Sequence, residues 1–421
     1  MHGTYNTTIL ENGLTIVTEE IPYLRSAAVG LIVGLGSKDE AEEDSGVSHF
    51  IEHMSFKGTA KRTAFDIAEA LDEVGGKINA HTSKEYTSYY SVVLDTHVDV
   101  ALNILSDIYV NSVFDEKEMK TEKKVVIEEI NMYEDTPDEL IHDLSAQNIW
   151  QHHPLGRAII GEKKAIHGLT PKRILEYVHK YYVPENTYLA VAGNIKHQSV
   201  VDKIQNLLGG MQGKKPEEVI QKDPEVKPGI EVVRRETEQA HICLATKGVS
   251  YKDDDRYAVS LLSSIVGGTM SSRLFQNIRE RKGLVYSIYS YQSFYKQAGL
   301  FTVYAGTRLD NSKEVLSLVL SEFSDIKKNA VSDDELNRAK EQLKGNIVLN
   351  LETSNSRMSW INKSQFYYGK ILAIEDVFGK IDKVTREDIQ RIANEIFIPE
   401  RLNLTAIGSF PKAKYFDDLN C

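Results

Sequence analysis

The chain has 421 residues, of which 41% are hydrophobic and 26% charged, with a formal net charge of −11. That length exceeds what one hydrophobic core usually supports, so two domains or more are expected. The composition excludes a disordered or low-complexity chain, no apolar run reaches the roughly 20 residues of a membrane-spanning helix, and the acidic balance argues against nucleic acid and anionic lipid as partners.

The first residues, MHGTYNTTILENG, lack a basic region followed by an apolar one, and Cys243 and Cys421 are the only cysteines. A disulfide framework and a thiolate metal site are therefore excluded, and a cytoplasmic protein without membrane insertion is expected. LTIVTEE and SAAVGLIVGLGS then read as strands. Ser45 opens a short helix that Gly58 can terminate, and HFIEH lies on it. TAFDIAEALDEVGG follows as an amphipathic helix, KINAHTSKEYTSYYSVVLD as a strand or hairpin, and DEKEMKTEKKVVIEEINMYED as a long helix that Asp115 and Glu118 can cap.

From Leu169 the chain reads LTPKRILEYVHKYYVPENTYLAVAGN, and from Val384 it reads VTREDIQRIANEIFIPERLNLTAIGS. The two align without a gap: Thr170, Pro184, Glu185 and Gly193 match Thr385, Pro399, Glu400 and Gly408, each pair 215 positions apart. In each copy a threonine caps an amphipathic helix, Pro-Glu breaks it, and an apolar strand ends at glycine. A duplicated domain explains the length: an N-terminal domain over 1–210, a linker over 211–228 and a homologous C-terminal domain over 229–421. Because the alternating runs look half-exposed and hairpin-like, each copy is expected to be an α+β domain with a mainly antiparallel β-sheet backed by helices.

On a helix, residues four apart share a face, so His49 and His53 can present imidazole nitrogens to one metal ion. Glu52 stands beside them, where a carboxylate can take a proton from a water molecule. The order H-x-x-E-H is the reverse of the commoner zinc-protease motif and keeps its histidine spacing. Where the first copy carries AEEDSGVSHFIEHMSFKGT the second carries DDDRYAVSLLSSIVGGT, which puts Val259, Leu262 and Ser263 opposite His49, Glu52 and His53. The fold manages without the polar groups, so they point to chemistry. A catalytic zinc takes three protein ligands, and the long acidic helix is the place to seek the third. Glu122 and Glu129, seven apart, share a face there, and Glu128 points about 100° away; spacing alone leaves Glu128 and Glu129 both open.

With these motifs the chain resembles the M16 metallopeptidases, the pitrilysin or inverzincin family, and within it the mitochondrial-processing-peptidase-like M16B branch in its bacterial-type single-subunit form. The resemblance runs over essentially the whole chain. It implies a duplicated LuxS/MPP-like metallohydrolase fold and a zinc endopeptidase acting on short or unfolded polypeptides inside an enclosed chamber. One Zn2+ per subunit is implied, held by His49, His53 and Glu129, the last standing after 75 intervening residues in VVIEEI. Glu122 is implied as a supporting carboxylate and Glu52 as the general base. Asn79 and Ala80 in GGKINAHTSKEYTSYY are similar to the family's substrate-binding strand. Arg279 and Tyr286, in SSRLFQNIRERKGLVYSIYSY, match its R-x6-Y segment, with the arginine anchoring substrate and the tyrosine stabilising the oxyanion. A homodimer is implied, with Arg279 and Tyr286 acting across subunits. The rival expectations are a non-catalytic scaffold or regulatory subunit, and the catalytic half of a heterodimeric processing peptidase.

Overall fold

A computed structural model of the chain describes residues 3–217, 224–412 and 414–416. Of the linker expected at 211–228, residues 218–223 lie outside the described residues, as does Cys421; the described parts of the linker carry no helix or strand.

Six strands form a first sheet: β1 (Thr4–Ile9), β2 (Thr15–Glu20), β3 (Ser26–Val33), β4 (Lys77–Thr82), β5 (Thr87–Leu94) and β6 (Thr187–Gly193), in the order β1-β2-β6-β3-β5-β4. Five form a second: β7 (Gly229–Arg234), β8 (Ala240–Lys247), β9 (Val285–Phe294), β10 (Gly299–Thr307) and β11 (Asn403–Gly408), in the order β7-β11-β8-β10-β9. Among the described residues only the β2–β6 and β7–β11 pairs run parallel, so both sheets are mainly antiparallel, as expected. The helices of the first half are α1 (Val47–Ser55), α2 (Ala64–Asp72), α3 (Val98–Asn111), α4 (Glu116–Glu134), α5 (Pro137–Trp150), α6 (Lys163–Gly168), α7 (Pro171–Tyr181) and α8 (His197–Leu208). Those of the second are α9 (Arg256–Val266), α10 (Ser312–Lys328), α11 (Asp333–Asn350), α12 (Ser354–Tyr368), α13 (Ile374–Lys383) and α14 (Arg386–Ile396).

The repeat has a local physical cause. Thr170 accepts from the Arg173 N–H at the start of α7, and Thr385 accepts from Asp388 at the start of α14. Each helix ends before a proline-led 3-10 turn, and the chain then enters β6 or β11, an interior strand of its sheet.

The compact units cut the chain differently from contiguous halves. One comprises Met1–Asn131, Arg157–Ile220 and Val348–Leu372; the other comprises Met132–Gly156, Gln221–Ile347 and Ala373–Cys421. The two copies thus exchange a helix: α5 covers β8 and β11 of the second sheet, and α12 covers β2, β3 and β6 of the first. The exchange covers the interior strands on both faces, so β3 and β10 are buried almost throughout, while the outer strands β1, β4 and β7 stay partly exposed. In the first unit Ile16, Val29, Leu31 and Tyr89 face the core built with α1, α3 and α8, while Val17, Ala28 and Ala190 face Met358 and Ile361 of α12. Gly30 permits this second contact, because a Cβ there would stand 2.2 Å from Met358 Sδ.

Candidate metal centre

Helix α1 is anchored by one face. Val47, Phe50, Ile51 and Met54 are buried in the core of the first unit, which leaves His49, Glu52 and His53 on the other side. The helix begins at Val47, behind Gly46 in the left-handed region (φ 93°), and not at Ser45. The reason is Glu40: its buried carboxylate accepts from the Gly46 and Ser48 N–H groups, both at 2.8 Å, and so satisfies the free end of the helix. The helix ends at Ser55, before Gly58.

The His49 and His53 rings lie edge to face, with centroids 4.6 Å apart. Glu129 of α4 reaches both: Oε1 stands 3.9 Å from His49 Nε2, and Oε2 stands 3.5 Å from His53 Nε2. One ligand atom from each of the three falls within 4.8 Å of the others. Tetrahedral bonds of 2.0–2.1 Å place ligands about 3.4 Å apart, so the set fits a zinc ion with only small side-chain movements. Two neutral imidazoles and a carboxylate are also the donor chemistry zinc takes. Glu128, the alternative that spacing left open, is exposed on α4 and belongs to no such group.

The ring of His53 is held from behind. Its Nδ1 is 2.8 Å from Glu122 Oε1; a carboxylate can only accept, so Nδ1 carries the proton and Nε2 is left as the ligating nitrogen. Glu122 is itself buried and pairs through Oε2 with Lys57 Nζ at 2.6 Å. Burial pushes the Glu122 carboxyl up, but the bonds from His53 and Lys57 outweigh it and hold it below the ordinary carboxylate range. His49 has no such support, and its buried Nδ1 has no protein partner. Burial, with the neighbouring His53, holds the His49 imidazole down at about 4, so the ring is neutral at pH 7.

Glu52 Oε2 accepts from the Thr82 hydroxyl at 2.6 Å. Burial raises the Glu52 carboxyl above its ordinary value, and the Thr82 hydrogen bond only partly offsets it. Thr82 ends β4, the edge strand of its sheet, which also carries Asn79 and Ala80. The Asn79 side-chain oxygen takes the Ala80 N–H at 2.8 Å, a bond that an incoming strand would have to exchange. Arg279 and Tyr286 belong to the second unit. Arg279 sits in a short π-helical segment with its guanidinium 4.7 Å from the centre of the Phe275 ring, and Tyr286 on edge strand β9 is 77% exposed. Sequence reasoning missed Glu40, Thr82 and Lys57. Of these only Lys57 stands close to the motif in sequence, four residues after His53 and just past the end of α1.

Comparison with known proteins gives the family. Residues 15–163 match the family described as "Insulinase (Peptidase family M16)", and residues 168–343 match "Peptidase M16 inactive domain". The zinc protease YmxG of Bacillus subtilis, itself uncharacterized, is 40% identical over 92% of this chain and 94% of its own length. An uncharacterized zinc protease of Streptomyces coelicolor is 38% identical over 96% of this chain and 90% of its own. The crystal structure of a protease from Helicobacter pylori shares the fold, with a TM-score of 0.88 at 22% identity over 97% of this chain and all of that one. A Pseudomonas fluorescens structure titled as a peptidase M16 inactive domain does so at 0.90 and 21%, over 97% and 98%. With the relatives matched over nearly their full length and the paired histidines set against a glutamate, the chain belongs to peptidase family M16.

Proposed function

We propose that the protein is a zinc-dependent endopeptidase of short or unfolded polypeptides, with His49, His53 and Glu129 holding the ion and Glu52 as the general base. The observation that carries the reading is the convergence of His49, His53 and Glu129 beside the half-buried carboxylate of Glu52. When bound, zinc supplies Lewis-acid polarisation of the peptide carbonyl and of a water molecule. Thr82 holds Oε2 of Glu52, which leaves Oε1 to take the proton of that water and return it to the departing amine. The raised Glu52 carboxyl suits the first transfer, since a stronger base accepts the proton more readily. An extended substrate adds to edge strand β4 beside Asn79 and Ala80.

The reading includes the processing-peptidase-like branch and a homodimeric chamber in which Arg279 anchors substrate and Tyr286 stabilises the oxyanion. Tyr286→Phe lowering kcat with little change in KM checks the second role. Full activity at the mass of a single chain would remove the dimer. The test of the whole is metal analysis with peptide cleavage: about one zinc per chain in wild type and in Glu52→Gln, and cleavage only in the wild type. Cleavage that persists in Glu52→Gln overturns the proposal.

A further inference from the structure

Glu52, Glu122 and Glu129 crowd the metal centre with three carboxylates, and among the described residues Lys57 is the only lysine or arginine ion-paired with any of them. Lys57 stands just past the end of α1, where its N–H donates to the Met54 carbonyl at 3.0 Å. A cation is favoured at this end of a helix, so lysine is an ordinary residue for the position. The direction of its side chain is not ordinary. Its ammonium lies 2.6 Å from Glu122 Oε2 on α4, and the Glu122 side chain is 5% exposed. Two donors attached to α1 thus grip one carboxylate of α4, His53 Nδ1 at Oε1 and Lys57 Nζ at Oε2. A carboxylate held at one oxygen can swing about that bond, whereas one held at both has its plane fixed. His49 and His53 ride on α1, and Glu129 rides on α4 two turns beyond Glu122. The double grip therefore acts on the His53 ring and on the spacing of the two helices that carry the ligands.

The second copy shows what the fold needs at this place. Gly58 and Thr59 align with Gly268 and Thr269, which sets Gly267 opposite Lys57. Helices α5 and α12 begin after Thr136 and Thr353, and aligning the copies on these threonines sets Ala339 opposite Glu122. The cation and the carboxylate are absent together, while the Gly-Thr pair beside the lysine is kept. The space is closed as well: a Cβ at Gly267 would stand 2.6 Å from the Ser290 backbone nitrogen on β9. A lysine at this turn is therefore no requirement of the helix end or of the strand pairing, and it accompanies the ligand set.

We infer that Lys57 is a positioning residue of the metal centre: by holding the second oxygen of Glu122 it fixes the carboxylate that orients His53, and with it the distance between α1 and α4 at which Glu129 meets the two imidazoles. The inference rests on the zinc reading above and adds a residue to the groups that support the ligands. The sign of the effect separates positioning from plain charge. An ammonium acting through space repels a dication, so its removal by charge alone would tighten zinc binding. Removal of a positioning group loosens it, because Glu122 then turns on its one remaining bond and His53 Nε2 is no longer held toward the point it shares with His49 and Glu129.

The test is a double-mutant cycle on the full-length protein, with Zn2+ affinity read by competition with a chromogenic chelator and the stability of the metal-free protein read by denaturant unfolding. Lys57→Met keeps the length of the side chain and removes the ammonium, and it is expected to weaken zinc binding by about tenfold. In a Glu122→Gln background the same change is expected to alter affinity by about twofold or less, because the carboxylate through which Lys57 acts is already gone. Lys57→Arg, which keeps the charge and donors, is expected to recover most of the loss. Lys57→Gln, which keeps a neutral donor, is expected to weaken binding in the same direction and covers the case in which Lys57→Met does not fold. Tighter zinc binding in Lys57→Met assigns the lysine to charge alone and overturns the proposal. An equal loss in both backgrounds, a loss in Lys57→Arg as large as in Lys57→Met, or lower stability with unchanged zinc affinity overturns it too. Failure of wild type to bind zinc overturns the zinc reading itself, and the role of Lys57 falls with it.

Discussion

Helices α1 and α9 occupy the same place in two copies of one domain, and they differ in what their second face is allowed to be. Both anchor an apolar stripe in a core. On α1 the opposite face carries His49, Glu52 and His53; on α9 the matching positions are Val259 and Leu262, both 0% exposed, and Ser263, which is 3% exposed and bonded to Ser290. The same contrast extends to the helices that follow. Carried back from Thr136 and Thr353, the alignment sets Glu122 and Glu129 opposite Ala339 and Asn346. The second copy therefore lacks the ligands, the base and the supporting carboxylate together. A buried charge without its partners costs several kcal/mol, so a half-retained site is the least stable arrangement and whole loss is the expected one.

The sharpest way to break this contrast is to remove the base alone. Glu52→Gln keeps the shape and the hydrogen bond from Thr82 but cannot take a proton. It is expected to lower kcat/KM by about 10²–10⁴-fold with zinc content unchanged, as read by steady-state peptide cleavage and metal analysis. At the matching position of the second copy the effect is on folding. Leu262→Ala removes a fully buried side chain, and denaturant unfolding is expected to show a loss of about 2–5 kcal/mol. If Leu262→Ala leaves stability intact, α9 is not the purely structural counterpart of α1.

The starts of the two helices sharpen the comparison further. Burial raises Glu40, the cap of α1, to about 7 against its ordinary 4.5, and the N–H groups of Gly46 and Ser48 do not fully offset it. The folded state thus holds the proton more tightly than the unfolded chain does. This contribution to stability is complete below pH 4.5 and is lost as pH rises through 7, by on the order of 3 kcal/mol. Glu40→Gln is expected to flatten that slope in unfolding measured between pH 5 and 8. Asp255, at the start of α9, pairs instead with Arg391 at 2.6 Å on a partly open surface. Asp255→Asn is expected to change stability by about 1 kcal/mol or less.

Much of this was legible in the sequence, for reasons that separate local from tertiary causes. The duplication shows because threonine caps, Pro-Glu breaks and strand-ending glycines act within a few residues of themselves. HFIEH shows because helical spacing alone puts its histidines on one face. The exchange of α5 and α12 does not show, since a helix carries the pattern of its own faces and not the identity of the sheet it covers. Glu40 and Thr82 do not show either: each meets α1 through a turn of chain whose path is set by the core, so their distance in sequence carries no signal. Glu129 was separated from Glu128 only by the family resemblance, and the structure supplies the physical ground, with one turned to the imidazoles and the other to solvent.

Glu122 is where a small change tests the contrast most finely. Its two oxygens serve two donors, His53 Nδ1 at 2.8 Å and Lys57 Nζ at 2.6 Å. Glu122→Gln leaves one acceptor oxygen for two donors and sets an amide N–H against the other, so either the imidazole or the ammonium loses its partner. The negative charge that makes His53 a better ligand is lost as well. Zinc affinity, read by competition with a chromogenic chelator, is expected to fall about 10–100-fold, while kcat at saturating zinc stays near that of wild type. That split assigns Glu122 to orienting a ligand. The opposite split, with affinity retained and kcat lost, would place its carboxylate among the groups that meet the substrate, and Ala339 in the second copy would then mark the loss of a second base and not of a support.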